Sequence, residues 1–289
     1  MDNKNIDLKI IDNIKKYIYN NDTIKNKFMH FNQKYLIDDL LKPILIILKQ
    51  GISYRDIQIY TPINWNTIYK FYIKLIKYQI IENTFKLCVN RYLTEIEKPS
   101  KVLFTDSSLV INKLGIDQIG YNPQLKKHKT TNFSVITDNF GVPISIDSFN
   151  GSCHDALIIS KQLNNIHKDF LKLFTNDKIL IGDAAYDSNN LKNLAVNLNL
   201  GFVLAPTNIR NTKNITKIEN NKYNLTDKML LKSRICVEHI INNYKKFKKI
   251  SIRYDKYNIN YKSYLFFRAL ARHGSERAEG IYIYFTQKN

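Results

Sequence analysis

Cysteine is scarce in this chain. There are three in 289 residues, Cys88, Cys153 and Cys236, far apart and odd in number. With no CxxC pair and no zinc-ligand spacing, they argue against a disulfide scaffold or a structural zinc site and for reduced thiols. Glycine and proline are also few, 9 and 6, while 44% of residues are hydrophobic, which excludes fibrous and disordered classes. The length allows one large domain or two ordinary ones. No long apolar run exists: the longest, Pro43 to Leu48, cannot span a bilayer, and Met1 to Asn26 is too polar for a signal peptide. The expectation is therefore an intracellular protein with no membrane partner. Acidic residues are outnumbered, 25 against 44 basic, for a net charge of +19. A polyanion such as nucleic acid is the usual partner of such an excess. An AT-rich gene, which favours Lys, Asn, Ile and Tyr, would inflate the same number.

The chain is organised around Val102-Leu103-Phe104-Thr105-Asp106-Ser107-Ser108. A short apolar run of strand character leads into a carboxylate. Alone, that Asp reads better as a cap. It is joined by a second apolar run ending in an acid, Ile179-Leu180-Ile181-Gly182-Asp183, and by Glu238 within Arg234-Ile235-Cys236-Val237-Glu238. Two strand-end aspartates and a helical glutamate suit a two-metal phosphoryl-transfer site, with Asp106 as the shared ligand and Mg²⁺ (or Mn²⁺) as the ions.

Ahead of this lies a helical region. Residues 1–30 read as a weakly helical arm. Ile37, Leu40, Leu41, Ile44, Leu45 and Leu48 make one apolar helix face, stopped by Gly51. Ser53 caps a short helix from Tyr54 to about Gln58, and Asn64 caps a third from Trp65, burying Ile68, Phe71, Tyr72, Leu75 and Ile76. Asn66, Thr67, Lys70 and Lys74 are left outward. This is either a helix-turn-helix over 31–98 or an ordinary three-helix cluster, and the basic exposed face favours DNA contact.

Beyond the charged stretch Glu95–Ser100 an α/β pattern begins. It has the Asp106 strand, a basic loop (Lys126, Lys127, His128, Lys129), and a hairpin of Thr131–Thr137 and Val142–Phe149 turned at Asp138–Gly141. A helix from Ala156 to about His167, led in by Asp155, precedes the Asp183 strand. Then come a helix capped by Asp187 or Ser188, a strand at Gly201–Ala205, a polar loop over 207–225 and a long helix capped by Thr226 that carries Glu238. The order predicts an α/β fold: an RNase H-like mixed five-stranded sheet flanked by helices, with the first and fourth strands adjacent.

Three ordered blocks carry a resemblance. Thr105-Asp106-Ser107 is the first, and Gly182-Asp183-Ala184-Ala185-Tyr186-Asp187-Ser188 the second. The third is Arg234, Val237 and Glu238 followed by Lys245. Over residues 35 to 272 the chain resembles a DDE transposase of the bacterial insertion-sequence or Harbinger type, with Arg253-Tyr254-Asp255-Lys256, the hairpin and His154-Asp155 also fitting. The resemblance implies an RNase H-like catalytic domain over 99–272, DNA strand cleavage and transfer, catalytic and metal roles for Asp106, Asp183 and Glu238, and an end-binding N-terminal helix-turn-helix. It makes double-stranded DNA the partner, with oligomerisation on it and a DNA-containing compartment as the location. Arg234, Lys245, Lys248 and the basic run through Lys249, Arg253 and Lys256 are expected on DNA with Lys126, Lys127 and Lys129. Tyr186 is expected in packing or on DNA, and His154 either on DNA or just ahead of a helix capped by Asp155. Residues 273–289 depart from the family pattern and read as an atypical tail. The alternatives are a transposase-derived DNA-binding protein that no longer cuts, and a repair or recombination nuclease.

Overall fold

In the computed structural model, which describes residues 3–29, 34–96, 100–125, 128–206 and 223–273, the opening stretch is firmly helical. Helices α1 (Asn3–Tyr19) and α2 (Asp22–Phe28) replace the weakly helical arm, because Ile10, Ile11, Ile14 and Ile18 fall on one face and are buried. Lys126, Lys127, most of the 207–225 loop and the tail from 274 lie outside the described residues.

Two units interleave along the chain, whereas the expected segments are consecutive. Among the described residues, one comprises those up to Tyr92, Val110–Asp117 and Tyr244 to His273; the other comprises Leu93–Leu109 and Gln118–Asn243.

In the first unit, α3 (Ile37–Gln50) ends at Gly51, which is left-handed at φ 75° as a helix stop requires. A 3₁₀ turn (Asp56–Ile59) follows, with Ser53 Oγ accepting from the Asp56 amide at 3.2 Å. Helix α4 (Trp65–Lys77) is capped by Asn64, whose side chain accepts from Asn66 N at 2.9 Å, and buries the five residues of the expected stripe. Next is α5 (Ile80–Glu95), which the sequence reading did not place. Near the end of the unit, α10 (Lys248–Ser251), β7 (Ile252–Arg253) and α11 (Asn258–Leu270) pack here too. Tyr72 stacks on Tyr264 with ring centroids 5.3 Å apart and reaches Ser263 Oγ at 2.6 Å.

The second unit holds a mixed sheet. Its strands are β1 (Val102–Asn112), β2 (Gly120–Tyr121), β3 (Lys129–Asp138), β4 (Pro143–Asn150), β5 (Ile179–Ile181) and β6 (Phe202–Leu204), although the last residues of β1 fall in the first unit. The order is β2-β3-β1-β5-β6 with β4 on β3 and β7 on the last residues of β1, so the sheet has seven strands where five were expected, the short β2 and β7 being the additions. Pairing is antiparallel for β3–β4 and parallel for β1–β5 and β5–β6, so the RNase H-like expectation of the first strand beside the Asp183 strand is met. The hairpin turns where expected: Asp138 Oδ1 accepts from Phe140 N and Val142 N, and Gly141 takes φ 71°. Helix α6 (Asp155–Asp169) sends the buried Gln162 to Ser145 Oγ at 2.9 Å. Two further helices, α7 (Asn189–Asn197) and α8 (Leu225–Ser233), precede α9 (Ile235–Lys245). No described helix is long and apolar enough to cross a membrane.

Two helix starts in the segment that carries Glu238 differ from expectation. Asn224, not Thr226, caps α8, because its side chain pairs reciprocally with Asp227 in a capping box. The expected single long helix is interrupted at Arg234, so Glu238 lies in the first turn of α9.

Candidate active site

Parallel register places two of the acids. Phe104 pairs with Ile181, and two residues further along lie Asp106 and Asp183. Strand alternation puts Asp106 on the Phe104 face, and the same spacing separates Asp183 from Ile181. Asp106 is not at a strand end as expected. β1 continues to Asn112; what ends near it is the pairing with β5, which stops at Ile181. Phe104, Ile181 and Leu204 form a buried cluster with Cys236 and Val237. That packing brings α9 onto the sheet and delivers Glu238, one residue on.

Arg234 links two of the acids. Its Nη1 lies 3.4 Å from Asp106 Oδ2, and its Nη2 pairs with Glu238 Oε1. Asp106 Oδ1 accepts from Ser107 N at 2.9 Å, and Asp183 Oδ1 accepts from Ala185 N at 2.9 Å. Burial pushes the Asp106 carboxyl up to about 6; the Ser107 amide and Arg234 oppose the shift, and the Asp183 and Glu238 charges add to it. Burial also raises Asp183, with the Asp155 charge adding to it. Among the described residues no three His, Cys, Asp or Glu side chains already form a metal-holding group, and Arg234 stands between Asp106 and Glu238.

A fourth acid was not foreseen in this role. Asp155 was expected to cap α6, but the cap is His154, whose Nδ1 accepts from Ala156 N at 3.3 Å. The Asp155 carboxylate instead accepts from Ser107 Oγ at 2.6 Å and Asn132 Nδ2 at 3.3 Å. The signal available in sequence was the adjacent pair His154-Asp155, either of which can cap. Tyr186 is 1% exposed, which makes it a packing residue. Burial, with the charges of Asp155, Asp106 and Asp183, drives its phenol well above the usual value. A side chain on Gly182 would meet the Tyr186 ring at 2.3 Å, so only glycine fits there. Asp187 is not the cap of α7; it pairs with Lys192 at 2.6 Å, and Ser188 holds the cap position.

The residues expected on DNA divide. Asn66, Lys70, Lys129 and Lys248 are exposed, and Thr67 and Lys245 partly so. Lys74, expected outward, turns back to the Lys27 carbonyl and lies over the Phe28 ring, and burial lowers its pKa. Arg253, expected on a DNA track, is 0% exposed and pairs with Asp117, 136 residues away in sequence. Lys249 of the same run is buried as well.

A family model described as "Transposase DDE domain" matches residues 97–272. No curated protein matches the sequence. Among solved structures, a piggyBac transposase synaptic complex with hairpin DNA aligns at 11% identity and TM-score 0.41. That alignment covers 74% of this chain and 51% of the other, so the chain spans about half the length of that transposase. A Mos1 transposase paired-end complex with the left transposon end aligns at 10% identity and TM-score 0.27, covering 75% and 79% of the two chains. A Mos1 mariner paired-end complex with Mn gives the same figures. Likenesses this distant add no weight to the family match.

Proposed function

The chain belongs to the DDE-domain transposases, and from that premise we propose that it binds the ends of its own element and carries out DNA strand cleavage and strand transfer. The observation that carries the reading is the common offset of Asp106 and Asp183 from the Phe104–Ile181 pair, with Glu238 brought over them by the Val237 cluster. The residues of the three ordered blocks around Asp106, Asp183 and Glu238 support the insertion-sequence or Harbinger branch.

Asp106, Asp183 and Glu238 are the catalytic acids in this reading and would hold two divalent ions, Mg²⁺ or Mn²⁺, with Asp106 shared. The donor chemistry fits, since hard cations prefer carboxylate oxygens, and a cation offsets both the burial that chiefly raises Asp106 and the Asp183 and Glu238 charges that add to it. Such ions supply Lewis-acid polarisation of the phosphodiester and a more acidic attacking hydroxyl. Asp183 is kept in place by the Ala185 amide, and Asp106 by the Ser107 amide. Arg234 balances the Asp106 and Glu238 charges until metal and DNA arrive, and its planar fork suits a phosphate as well as a carboxylate.

DNA-end binding falls to the helix-turn-helix formed by α3, the 3₁₀ turn and α4. Asn66 and Thr67 sit at the start of α4, and Lys70 one turn on; Lys70 is better placed than Lys74 for a phosphate. Lys126, Lys127, Lys129, Arg234, Lys245 and Lys248 are further phosphate contacts. The protein works in a DNA-containing compartment and oligomerises on DNA.

The test is cleavage of a duplex carrying the element's terminal repeats, in Mg²⁺ or Mn²⁺, with wild type beside Asp106→Asn. Nicking by the wild type alone supports the reading; equal nicking by both removes it. The second reading is a derived DNA-binding protein without cleavage, and the Arg234 bridge between two of the acids favours it. Binding of the end by the wild type with no nicking would establish it.

A further inference from the structure

We propose that Asp155 is a positioning residue of this site, holding Asp106 in place through Ser107; the inference rests on the transposase reading above. Ser107 is the link. Its hydroxyl donates to Asp155 Oδ1 at 2.6 Å, and its backbone N–H donates to Asp106 Oδ1 at 2.9 Å, so one residue ties two carboxylates. The same Asp155 oxygen takes Asn132 Nδ2 at 3.3 Å, and Asn132 is 3% exposed on β3. Asp155 is the first residue of α6, so both anchors belong to regular elements.

An aspartate in the first turn of a helix has a simpler explanation, the favourable field of the helix N-terminus. That accounts for its position in the chain but not for its partners. The capping task is done by His154, and the Asp155 oxygen faces two side-chain donors from the sheet. A metal-binding carboxylate is normally oriented by such outer hydrogen bonds, and breaking one weakens metal affinity roughly 10–100-fold.

Mn²⁺ binding to the full chain, followed by loss of the free-ion EPR signal, tests the proposal without relying on cleavage. Ser107→Ala and Asp155→Ala are each expected to raise the Kd by roughly tenfold or more. The double variant should be no worse than the weaker single, because one linkage is broken twice. Asp155→Asn, which retains an oxygen for Ser107, should recover most of the affinity. Wild-type binding by Ser107→Ala, while Asp106→Asn loses Mn²⁺, overturns the proposal and leaves the site standing. Losses that multiply in the double variant, or an Asp155→Asn as weak as Asp155→Ala, overturn it too. If Asp155→Ala does not fold, Ser107→Ala decides alone. Absent wild-type binding, or binding that Asp106→Asn leaves unchanged, instead overturns the metal-site reading on which the proposal rests.

Discussion

Phe104 faces Ile181 across the β1–β5 pair, and the acids that follow are offset from this pair by the same two residues. A strand slip of a single residue would send one of them to the opposite face of the sheet. The buried cluster around Phe104, Ile181 and Val237 therefore fixes register as well as stability.

Asp106→Asn should abolish cleavage while sparing DNA binding. Losing the charge of a shared ligand removes several kcal/mol of transition-state stabilisation, roughly a thousandfold in rate. Parallel nicking and gel-shift assays check this; a variant that loses DNA binding as severely as cleavage would contradict it.

The metal-free protein should lose stability as pH rises through about 4 to 6. The Asp106 carboxyl titrates near 6 when folded and near the ordinary carboxylate value when unfolded, so over that window the folded state holds more protons. The contribution is of order 1–3 kcal/mol, present below the window and lost above it. Melting curves at pH 4.5 and 7 test the sign, and added Mg²⁺ should restore stability at pH 7 selectively.

Arg234→Gln should tighten Mn²⁺ binding several-fold, because Asp106 and Glu238 lose a competing cation. Titration of the metal-free variant measures it. Weaker Mn²⁺ binding would mean that Arg234 chiefly holds Glu238 in position.

Lys70→Ala should lower the salt slope of DNA binding by about one, as expected for one lost phosphate contact. Lys74→Ala should leave the slope nearly unchanged and instead lower the melting temperature slightly, since its ammonium already serves Lys27 and Phe28. Equal slopes for the two variants would count against the helix-turn-helix reading.

The parts legible in the sequence were those written in local pattern. The α4 stripe, the Gly51 stop and the Asp138–Gly141 turn depend on neighbours within a few residues. The adjacency of the strands that lead to Asp106 and Asp183 followed from strand order. Other features depended on partners far away in sequence. Arg253 looked like one more surface cation because Asp117 lies 136 residues off. Asp155 looked like a cap because nothing local shows that His154 takes that task or that Ser107 lies opposite. The break at Arg234 escaped notice because Ser233-Arg234-Ile235 contains no helix-breaking residue.

The interleaved path has a consequence for how this protein can be shortened or recombined. Crossings after Tyr92, Leu109, Asp117 and Asn243 mean that no single cut separates the two units. A clone ending before Tyr244 deprives the N-terminal helices of α11, whose Tyr264 stacks on Tyr72. Deletion mapping would then score misfolding as lost DNA binding. By the same logic, gene shuffling that exchanges only the first hundred codons would leave the incoming helices without their C-terminal partner, so variants of this region are reached more readily by point substitution.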